Sequence, residues 1–223
     1  MSEKEARQLW AVSDCVCFDV DSTVCQDEGL DELADFCGVG DKVKRWTKKG
    51  MVGTIGFRES LSTRLQMVRP SKKSLEEFIS IHPVRLTPGI RELVACLHSR
   101  GTDVYLVSGG FREIIGPAAD QLSIPADRVF ANSILFDDTG DYNTFDFNQP
   151  TSQTGGKGLV IQRIKTEGQY NTLTMIGDGY TDYEAFPPAD VFIGFGGNVM
   201  RQKVKDLSPW YVTSFTELIN ALL

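Results

Sequence analysis

The feature that most constrains this chain is a short apolar run that ends in two carboxylates. Cys15-Val16-Cys17-Phe18 is followed at once by Asp19, and Asp21 comes two residues later. Such a run is typical of a parallel strand buried on both faces, and the chemistry of open α/β sheets lies just beyond the carboxyl ends of such strands. Two carboxylates ~4 Å apart repel each other by about 4 kcal/mol at an effective dielectric constant of ~20. Unless the segment is simply a solvated acidic loop, the pair needs a cation or a shared proton.

A second apolar run, residues 173–177, also leads into carboxylates, Asp178 and Asp182. If the two strands are neighbours, the four carboxylates form an oxygen-rich cluster of the kind that Mg²⁺ prefers, completed by waters and phosphate oxygens. Neither segment has the regular ligand spacing or distal glutamate of an EF-hand calcium loop. A zinc site is disfavoured because the chain has only two histidines and no paired-cysteine motif. The sequence therefore favours Mg²⁺.

Composition narrows the classes of partner. The 223 residues carry a net charge of −7 and are 41% hydrophobic and 24% charged, which is ordinary for a globular protein. Without a basic stripe and interleaved aromatic residues, nucleic acid is not an expected partner. We also expect no membrane association, because no apolar run is long enough to span a bilayer and the N-terminal residues do not resemble a signal peptide. Cys15, Cys17 and Cys96 are expected to be small buried hydrophobic residues in a reducing compartment.

The order of apolar runs predicts an α/β fold. Strand-like runs lie at 15–20, 103–107, 128–131, 172–177, 190–194 and 210–212, with helix-period segments between several of them. This alternation indicates βαβ units in a doubly wound parallel sheet. One helix is predicted to have Thr87 as N-cap, Pro88 as its first residue and Gly101 as its stop, with Leu93, Val94 and Leu97 on its apolar face. Gly116-Pro117 falls inside another expected helix, which must kink there or begin a new turn.

Residues 27–80 break the alternation. Apolar residues recur there at helical spacing with no clear strand: Leu30, Leu33, Ala34, Cys37, Phe57, Leu61, Leu65 and Val68. We interpret this region as a helical insert that closes over the catalytic end of the first strand. Between 132 and 148, apolar residues flank an Asp- and Gly-rich turn, which predicts a small β-hairpin flap.

Two glycine-rich segments supply groups that bind anions. A strand at 104–107 runs into Ser108-Gly109-Gly110-Phe111 and opens through the glycines into an expected helix, whose first backbone N–H groups favour an anion. Lys157 lies in Gly155-Gly156-Lys157-Gly158, before an apolar helix face of Leu159, Val160, Ile161 and Ile164. Each segment alone is a weak signal, but beside an acidic cluster Lys157 could balance the charge of a phosphate.

In this order, strand–Asp-x-Asp-x-Thr, strand–Ser, Gly-Lys and strand–Gly-Asp-Gly-x-x-Asp resemble the haloacid dehalogenase superfamily. Residues 19–24, 28–33, 86–93, 108–112 and 192–199 resemble its phosphoserine phosphatase family more closely, and the resemblance covers nearly the whole chain. It implies a Rossmann-like core of residues 1–24 and 82–223, with an inserted α-helical cap domain of residues 25–81. It also implies Mg²⁺-dependent hydrolysis of phosphoserine in the last step of serine biosynthesis, in the cytoplasm and as a homodimer.

The resemblance also implies a role for each acidic residue. Asp19 is the nucleophile that forms an aspartyl-phosphate, and Asp21 is the general acid and then the base. The metal is bound by Asp19, the Val20 carbonyl and Asp178, while Asp21 contributes through its backbone or from the outer shell rather than through its side chain. Asp182 orients Lys157 or a metal-bound water.

The remaining site residues bind the substrate. Phosphate is expected to contact Ser108, the N–H groups of Gly109 and Gly110, Lys157 and Thr181. By resemblance, Arg64 binds the carboxylate of phosphoserine and Glu28 binds its ammonium. Four further residues line the wall of the pocket: Met51, Val52, Gly53 and Phe57.

Two other functions share some of these features. A phosphomutase or phosphotransferase would form the same aspartyl-phosphate and pass the phosphoryl group to an alcohol or sugar, and the sequence does not show whether this competes with hydrolysis. A receiver-type signalling module would be phosphorylated on Asp19 without turnover. Receivers lack an acid two residues after the phosphorylated aspartate and have no helical insert, so Asp21 and residues 27–80 argue against this second alternative.

Overall fold

A parallel sheet forms the centre of the structure, a computed structural model that describes residues 1–50 and 56–223, except for the side chains of 47–50. The strands are β1 Cys15–Phe18, β2 Asp103–Phe111, β3 Val129–Asn132, β4 Ile134–Phe136, β5 Tyr142–Phe145, β6 Leu173–Gly177, β7 Val191–Phe195 and β8 Trp210–Val212. Six of them form the sheet, in the order β3-β2-β1-β6-β7-β8, and β4 and β5 pair as an antiparallel hairpin. The chain crosses over on both sides of β1, which confirms the predicted doubly wound sheet. The antiparallel pairing of β4 with β5 confirms the predicted hairpin.

Helices separate the strands. They are α1 Glu3–Ala11, α2 Gly29–Phe36, α3 Gly40–Gly50, α4 Phe57–Val68, α5 Lys72–Ile81, α6 Ile90–Ser99, α7 Arg112–Gln121, α8 Gly156–Gly168, α9 Tyr180–Tyr183, α10 Gln202–Leu207 and α11 Phe215–Asn220. Capping boxes of Ser2 with Glu5 and of Ser214 with Glu217 begin α1 and α11. In the described part of the chain, no helix has the length and apolar character needed to cross a membrane.

The side chains of β1 alternate between two apolar layers. Val16 and Phe18 belong to a cluster with α1, α6 and α11, whereas Cys15 and Cys17 pack on the other face against α8. All four side chains are fully buried. A strand that is buried on both faces has a continuous run of apolar residues, and β1 could therefore be predicted from the sequence. Cys96, predicted to be buried, is instead partly exposed on α6.

The four helices that follow β1 have an apolar cluster of their own. Leu33 and Leu65 are fully buried there, and the cluster includes Phe78 of α5. The hairpin contributes Tyr142 and Phe145 to the same cluster. The hairpin thus packs under the helical segment as part of its core, which the sequence did not indicate. The domain boundary at residues 25 and 81 stays a prediction.

Two local predictions are wrong. Helix α6 begins at Ile90, after Gly89 with φ of 85°. The Thr87 hydroxyl does not cap it but donates to the Thr23 carbonyl, 2.7 Å away. Strand β2 continues through the glycines to Phe111, and the helix expected after Ser108 begins at Arg112. Leu159, expected on the apolar face of α8, is 55% exposed. Helix α7 passes Pro117 as one element.

Candidate active site

A pocket of about 440 Å³ lies where the predicted site residues meet. Its floor is formed at the carboxyl ends of adjacent strands, with Asp19 after β1, Gly109 in the last part of β2 and Asp178 after β6. Phe57 and Arg64 of α4 line the same pocket. Because the strands are parallel, all of their carboxyl ends face one edge of the sheet, and residues far apart in sequence converge there.

Lys157 joins two buried carboxylates. Its Nζ donates to Asp19 Oδ1 at 2.6 Å and to Asp182 Oδ1 at 2.5 Å. Burial alone would lower the pKa of Lys157, but Asp182 and Asp19 outweigh this effect and raise it above the ordinary value. Asp182 also accepts the Gly179 N–H through Oδ2 at 2.9 Å. Both of its oxygens therefore have partners, and Asp182 fixes the lysine against Asp19.

Three carboxylates meet closely enough to hold a metal ion. Asp19, Asp178 and Asp182 each offer an oxygen within 4.8 Å of the others, and all three are buried. Burial and the charge of Asp19 raise the pKa of Asp178 to about 6, against the opposing effect of Arg201. The Val20 carbonyl accepts a hydrogen bond from the Cys25 N–H at 2.9 Å, and a carbonyl has a second lone pair. This all-oxygen donor set fits a hard divalent cation such as Mg²⁺.

Asp21 is held by a tight turn that follows β1. Ser22, at φ of 57°, adopts a left-handed conformation that few residues other than glycine favour. Its hydroxyl donates to Glu28 Oε1 at 2.8 Å, and the Gly29 N–H donates to Asp21 Oδ1 at 2.7 Å. Burial, Glu28 and Asp19 raise the pKa of Asp21 to about 7, although the Gly29 N–H opposes them. A carboxyl group of this kind can carry a proton near neutral pH.

The glycines after Ser108 allow close approach of neighbouring groups. A Cβ on Gly109 would lie 2.7 Å from Phe57 Cζ, and one on Gly110 would lie 2.8 Å from Asp21 Oδ2. The Gly110 N–H donates to Ser108 Oγ at 2.9 Å, and Ser108 is fully buried. Gly109 and Gly110 line the main pocket, as does Thr181 from the start of α9.

A cation and an anion from the helical segment complete the pocket. Arg64 donates through Nη2 to Asp31 at 3.2 Å, while its buried Nε has no hydrogen-bond partner among the described residues. Glu28 lines the pocket together with Arg64. The predicted wall residue Phe57 is present, whereas Met51, Val52 and Gly53 lie outside the described residues.

Two residues of the site were missed by the sequence analysis. Arg201 donates from Nε to Asp178 at 2.7 Å and lies 3.4 Å from Glu28 through Nη2, so it links the acidic cluster to the substrate wall. Asn132, fully buried at the end of β3, donates to the Gly109 carbonyl at 2.8 Å. Each follows or ends a strand at the active edge of the sheet. That position was the one available signal, because neither residue lies in a recognisable motif.

Comparison with known proteins assigns the family. A model of the haloacid dehalogenase-like hydrolases matches residues 13–190. Phosphoserine phosphatase of Bos taurus is 51% identical over 222 residues, covering 100% of this chain and 99% of that protein. The chain belongs to the phosphoserine phosphatase family. The match extends over the whole length of this chain, so it includes both the sheet and the helical segment.

Solved structures agree with the fold of this family. A phospho-aspartyl intermediate analogue of phosphoserine phosphatase superposes with a TM-score of 0.81 at 26% identity, covering 95% of this chain and 99% of that one. The structure of DsGPDH of Dunaliella salina has a TM-score of 0.86 at 34% identity, and it matches 100% of this chain. In that second case this chain spans 38% of the longer one.

Proposed function

We propose that this chain hydrolyses O-phospho-L-serine to L-serine and phosphate through a phosphoryl group carried on Asp19. One observation carries the proposal. A single pocket presents Asp19 and Asp21 on the sheet side, and Arg64 and Glu28 from the helical side. Phosphoserine has a phosphate, a carboxylate and an ammonium, and this arrangement offers a partner to each of them. The names of the similar proteins support the same substrate.

The proposed metal is Mg²⁺, held by Asp19, Asp178 and the Val20 carbonyl. When bound, it would neutralise part of the charge between the carboxylates and the phosphate. Asp182 lies in the same cluster, but its bonds to Lys157 and Gly179 fit an orienting role better than direct binding. Asp21 accepts the Gly29 N–H and belongs to the outer surroundings of the metal.

The proposed reaction has two halves. Asp19 attacks phosphorus, the bond to the seryl oxygen breaks, and Asp21 gives its proton to that oxygen as serine leaves. Asp21 then takes a proton from the water that cleaves the aspartyl-phosphate. Lys157, the Gly109 and Gly110 backbone and Thr181 bind the phosphate oxygens. The Ser108 hydroxyl accepts the Gly110 N–H, and its own O–H is proposed to donate to a phosphate oxygen. Both halves thus use one acid–base residue.

Substrate selection is assigned to the helical side. Arg64 is proposed to bind the carboxylate through guanidinium N–H groups, one of which has no partner among the described residues. Glu28 is proposed to bind the ammonium, and Phe57 to form part of the wall. Residues 25–81 act in this proposal as a cap over residues 1–24 and 82–223. We further propose a cytoplasmic homodimer that acts in the last step of serine biosynthesis.

A phosphate-release screen tests this function. Phosphoserine, phosphoethanolamine, phosphoglycolate and an aryl phosphate are compared with and without Mg²⁺. We expect phosphoserine to have the highest kcat/KM and to require the metal. A higher kcat/KM for phosphoglycolate or phosphoethanolamine would contradict the assigned substrate. Labelled serine added to the reaction separates hydrolysis from transfer, because a phosphotransferase would form labelled phosphoserine faster than free phosphate.

A further inference from the structure

A second cavity lies against the active site. It has a volume of about 250 Å³ and shares Asp21 as a wall residue with the main pocket. The rest of its lining comes from the turn after β1, from α2, from α5, from α7 and from residues 82–85. The catalytic chemistry assigned above does not use this cavity.

The lining is mainly apolar. Val20, Ile79, Val84, Ile114 and Pro117 contribute hydrocarbon surface to it. At about 30 Å³ for each water-sized group, the cavity has room for about eight non-hydrogen atoms. It therefore matches a small ligand with an apolar body, and ligand sites are commonly cavities of this type with a few polar groups.

The charged groups around the cavity are unbalanced. Asp21, Asp27 and Glu32 supply three carboxyl groups, of which Asp21 is partly protonated near neutral pH, against the guanidinium of Arg85 and the imidazole of His82. Arg85 is already paired, because it donates to both carboxylate oxygens of Asp27. In the part of the chain that the structure describes, no side chain hydrogen-bonds to Glu32. The charge of Glu32 also acts on Arg85, but Asp27 and Glu32 together set two carboxylates against one guanidinium. The balance of these three groups is therefore negative and suits a cation.

The cavity also adjoins both connections between the helical segment and the sheet. The Gln26 N–H donates to the Arg85 carbonyl at 2.9 Å, and Cys25 pairs with Leu86 as an isolated antiparallel bridge. The two connections thus run side by side along one wall. Any movement of α2–α5 relative to the sheet must change the backbone there, and an occupant of the cavity would oppose that change.

We propose that this cavity binds a small amphipathic monocation, with an apolar body inside it and one ammonium at Glu32, and that occupancy restrains the helical segment and lowers turnover. The binding half of this inference is independent of the proposed substrate. The effect on turnover rests on the proposed function, and it is measured separately.

Benzylamine is a suitable probe because it has eight non-hydrogen atoms and one positive charge at neutral pH. Its binding to the full chain is measured by calorimetry beside two controls of similar shape, neutral benzyl alcohol and anionic benzoate. We expect millimolar binding of benzylamine, several-fold weaker binding of benzyl alcohol and none of benzoate.

We also expect benzylamine to lower kcat for phosphoserine with KM little changed. Competition with phosphoserine, or equal binding of benzoate, would overturn the site. Binding without any change in kcat would overturn the restraining effect.

Matched variants locate the binding. Ile79→Trp fills the cavity and should abolish benzylamine binding, whereas Ile81→Trp, on the same helix at a residue 57% exposed, should not change it. Glu32→Gln should weaken binding roughly threefold to tenfold, as expected for the net contribution of one hydrogen bond at a partly exposed carboxylate. Glu77→Gln on exposed α5 surface is its control. If Ile79→Trp does not fold, the comparison of Glu32→Gln with Glu77→Gln tests the site instead. An unchanged affinity for benzylamine in Glu32→Gln overturns the proposal. If the wild-type protein did not hydrolyse phosphoserine, the proposed function would be contradicted, but the binding of benzylamine could still be measured.

Discussion

Asp19 and Asp21 leave the same strand two residues apart, yet their surroundings differ. Asp19 lies beside the fixed positive charge of Lys157, at 2.6 Å. Among the described residues, Asp21 is hydrogen-bonded by the Gly29 N–H, and the carboxylates of Glu28 and Asp19 help burial to raise its pKa to about 7. Different environments of this kind separate a nucleophile from an acid in many enzymes. The two roles can therefore be tested one at a time.

Asp19→Asn should abolish turnover of every phosphomonoester while leaving the fold intact. The substitution keeps the side-chain volume but removes the nucleophilic oxygen and one carboxylate of the acidic cluster. Phosphate release and circular dichroism measure the two effects. Release near the wild-type rate would rule out covalent catalysis by Asp19.

Asp21→Asn should be slow for a different reason, because the amide has no proton to give to the leaving oxygen. We expect kcat for phosphoserine to fall roughly 10²–10⁴-fold. The loss should be much smaller for p-nitrophenyl phosphate, whose leaving group needs no protonation. The ratio of the two losses is the measurement, and equal losses would remove Asp21 from the acid role.

Arg64→Ala should raise KM for phosphoserine about 10- to 150-fold, since a charge-assisted hydrogen bond contributes about 1.5–3 kcal/mol. Phosphoethanolamine has no carboxylate, so its kinetics should barely change. Asp31→Ala is the control, because it removes the 3.2 Å partner of Arg64 but leaves the cation in the pocket. If phosphoethanolamine suffers as much as phosphoserine, Arg64 serves the fold or the phosphate instead of the substrate carboxylate.

At the scale of elements, the first turn of helix α4 is hydrogen-bonded to the segment that leads into α8. Arg58 Nη2 lies 3.1 Å from the Phe147 carbonyl, 3.0 Å from Ser152 Oγ and 3.3 Å from Gln153 Oε1. The Phe57 N–H donates to Thr154 Oγ1 at 3.3 Å. Lys157 follows this segment directly, so α4 and the lysine share one support.

Arg58→Ala should therefore lower kcat/KM for phosphoserine by roughly fivefold to tenfold, because about 1 kcal/mol of net hydrogen bonding is lost. Arg58→Lys should recover part of the loss, since an ammonium can still donate to these acceptors. Arg45→Ala is the control, because Arg45 bonds within its own helix, to the Asp41 carbonyl. Steady-state kinetics measure the effect, and an unchanged kcat/KM would show that α4 does not depend on this contact.

At the scale of the whole molecule, one side chain joins β1 to β6 at the edge of the sheet opposite the site. Asp14 accepts the Asn171 N–H at 2.9 Å and the Thr172 N–H at 3.0 Å. Partial burial raises the pKa of Asp14, but these hydrogen bonds outweigh that effect and lower it. A carboxylate with a lowered pKa stabilises the fold above its unfolded-state pKa, and this contribution is lost as the pH falls through the folded value.

Asp14→Asn should therefore reduce the free energy of unfolding by about 1 kcal/mol at pH 7, because an amide NH₂ replaces one acceptor oxygen. The difference from wild type should shrink as the pH is lowered below 4. Urea unfolding of both proteins across this range is the measurement. A difference that stays constant with pH would mean that the charge of Asp14 does not contribute.

What could be foreseen depends on how local each signal is. The strands were predictable because burial on both faces leaves a continuous apolar run, as in Cys15–Phe18. The role of Arg201 was not predictable, because its partner Asp178 lies 23 residues away and no sequence pattern marks the pair. Thr87 was misread because its hydroxyl serves a contact with Thr23, 64 residues away, instead of the local helix. Long-range polar contacts leave little trace in a sequence.

The central place of β1 has a consequence for the order of events at the ribosome. Its two neighbours begin at Asp103 and Leu173, long after Phe18 has been translated. At about 5–20 residues per second, the wait for the second neighbour is on the order of 10–30 s. During that interval the apolar run has a single flanking strand at most, so the nascent chain is a natural client for chaperones. A truncated message that stopped before Leu173 would yield a product that still carries Asp19 but has neither Asp178 nor Asp182 to accompany it.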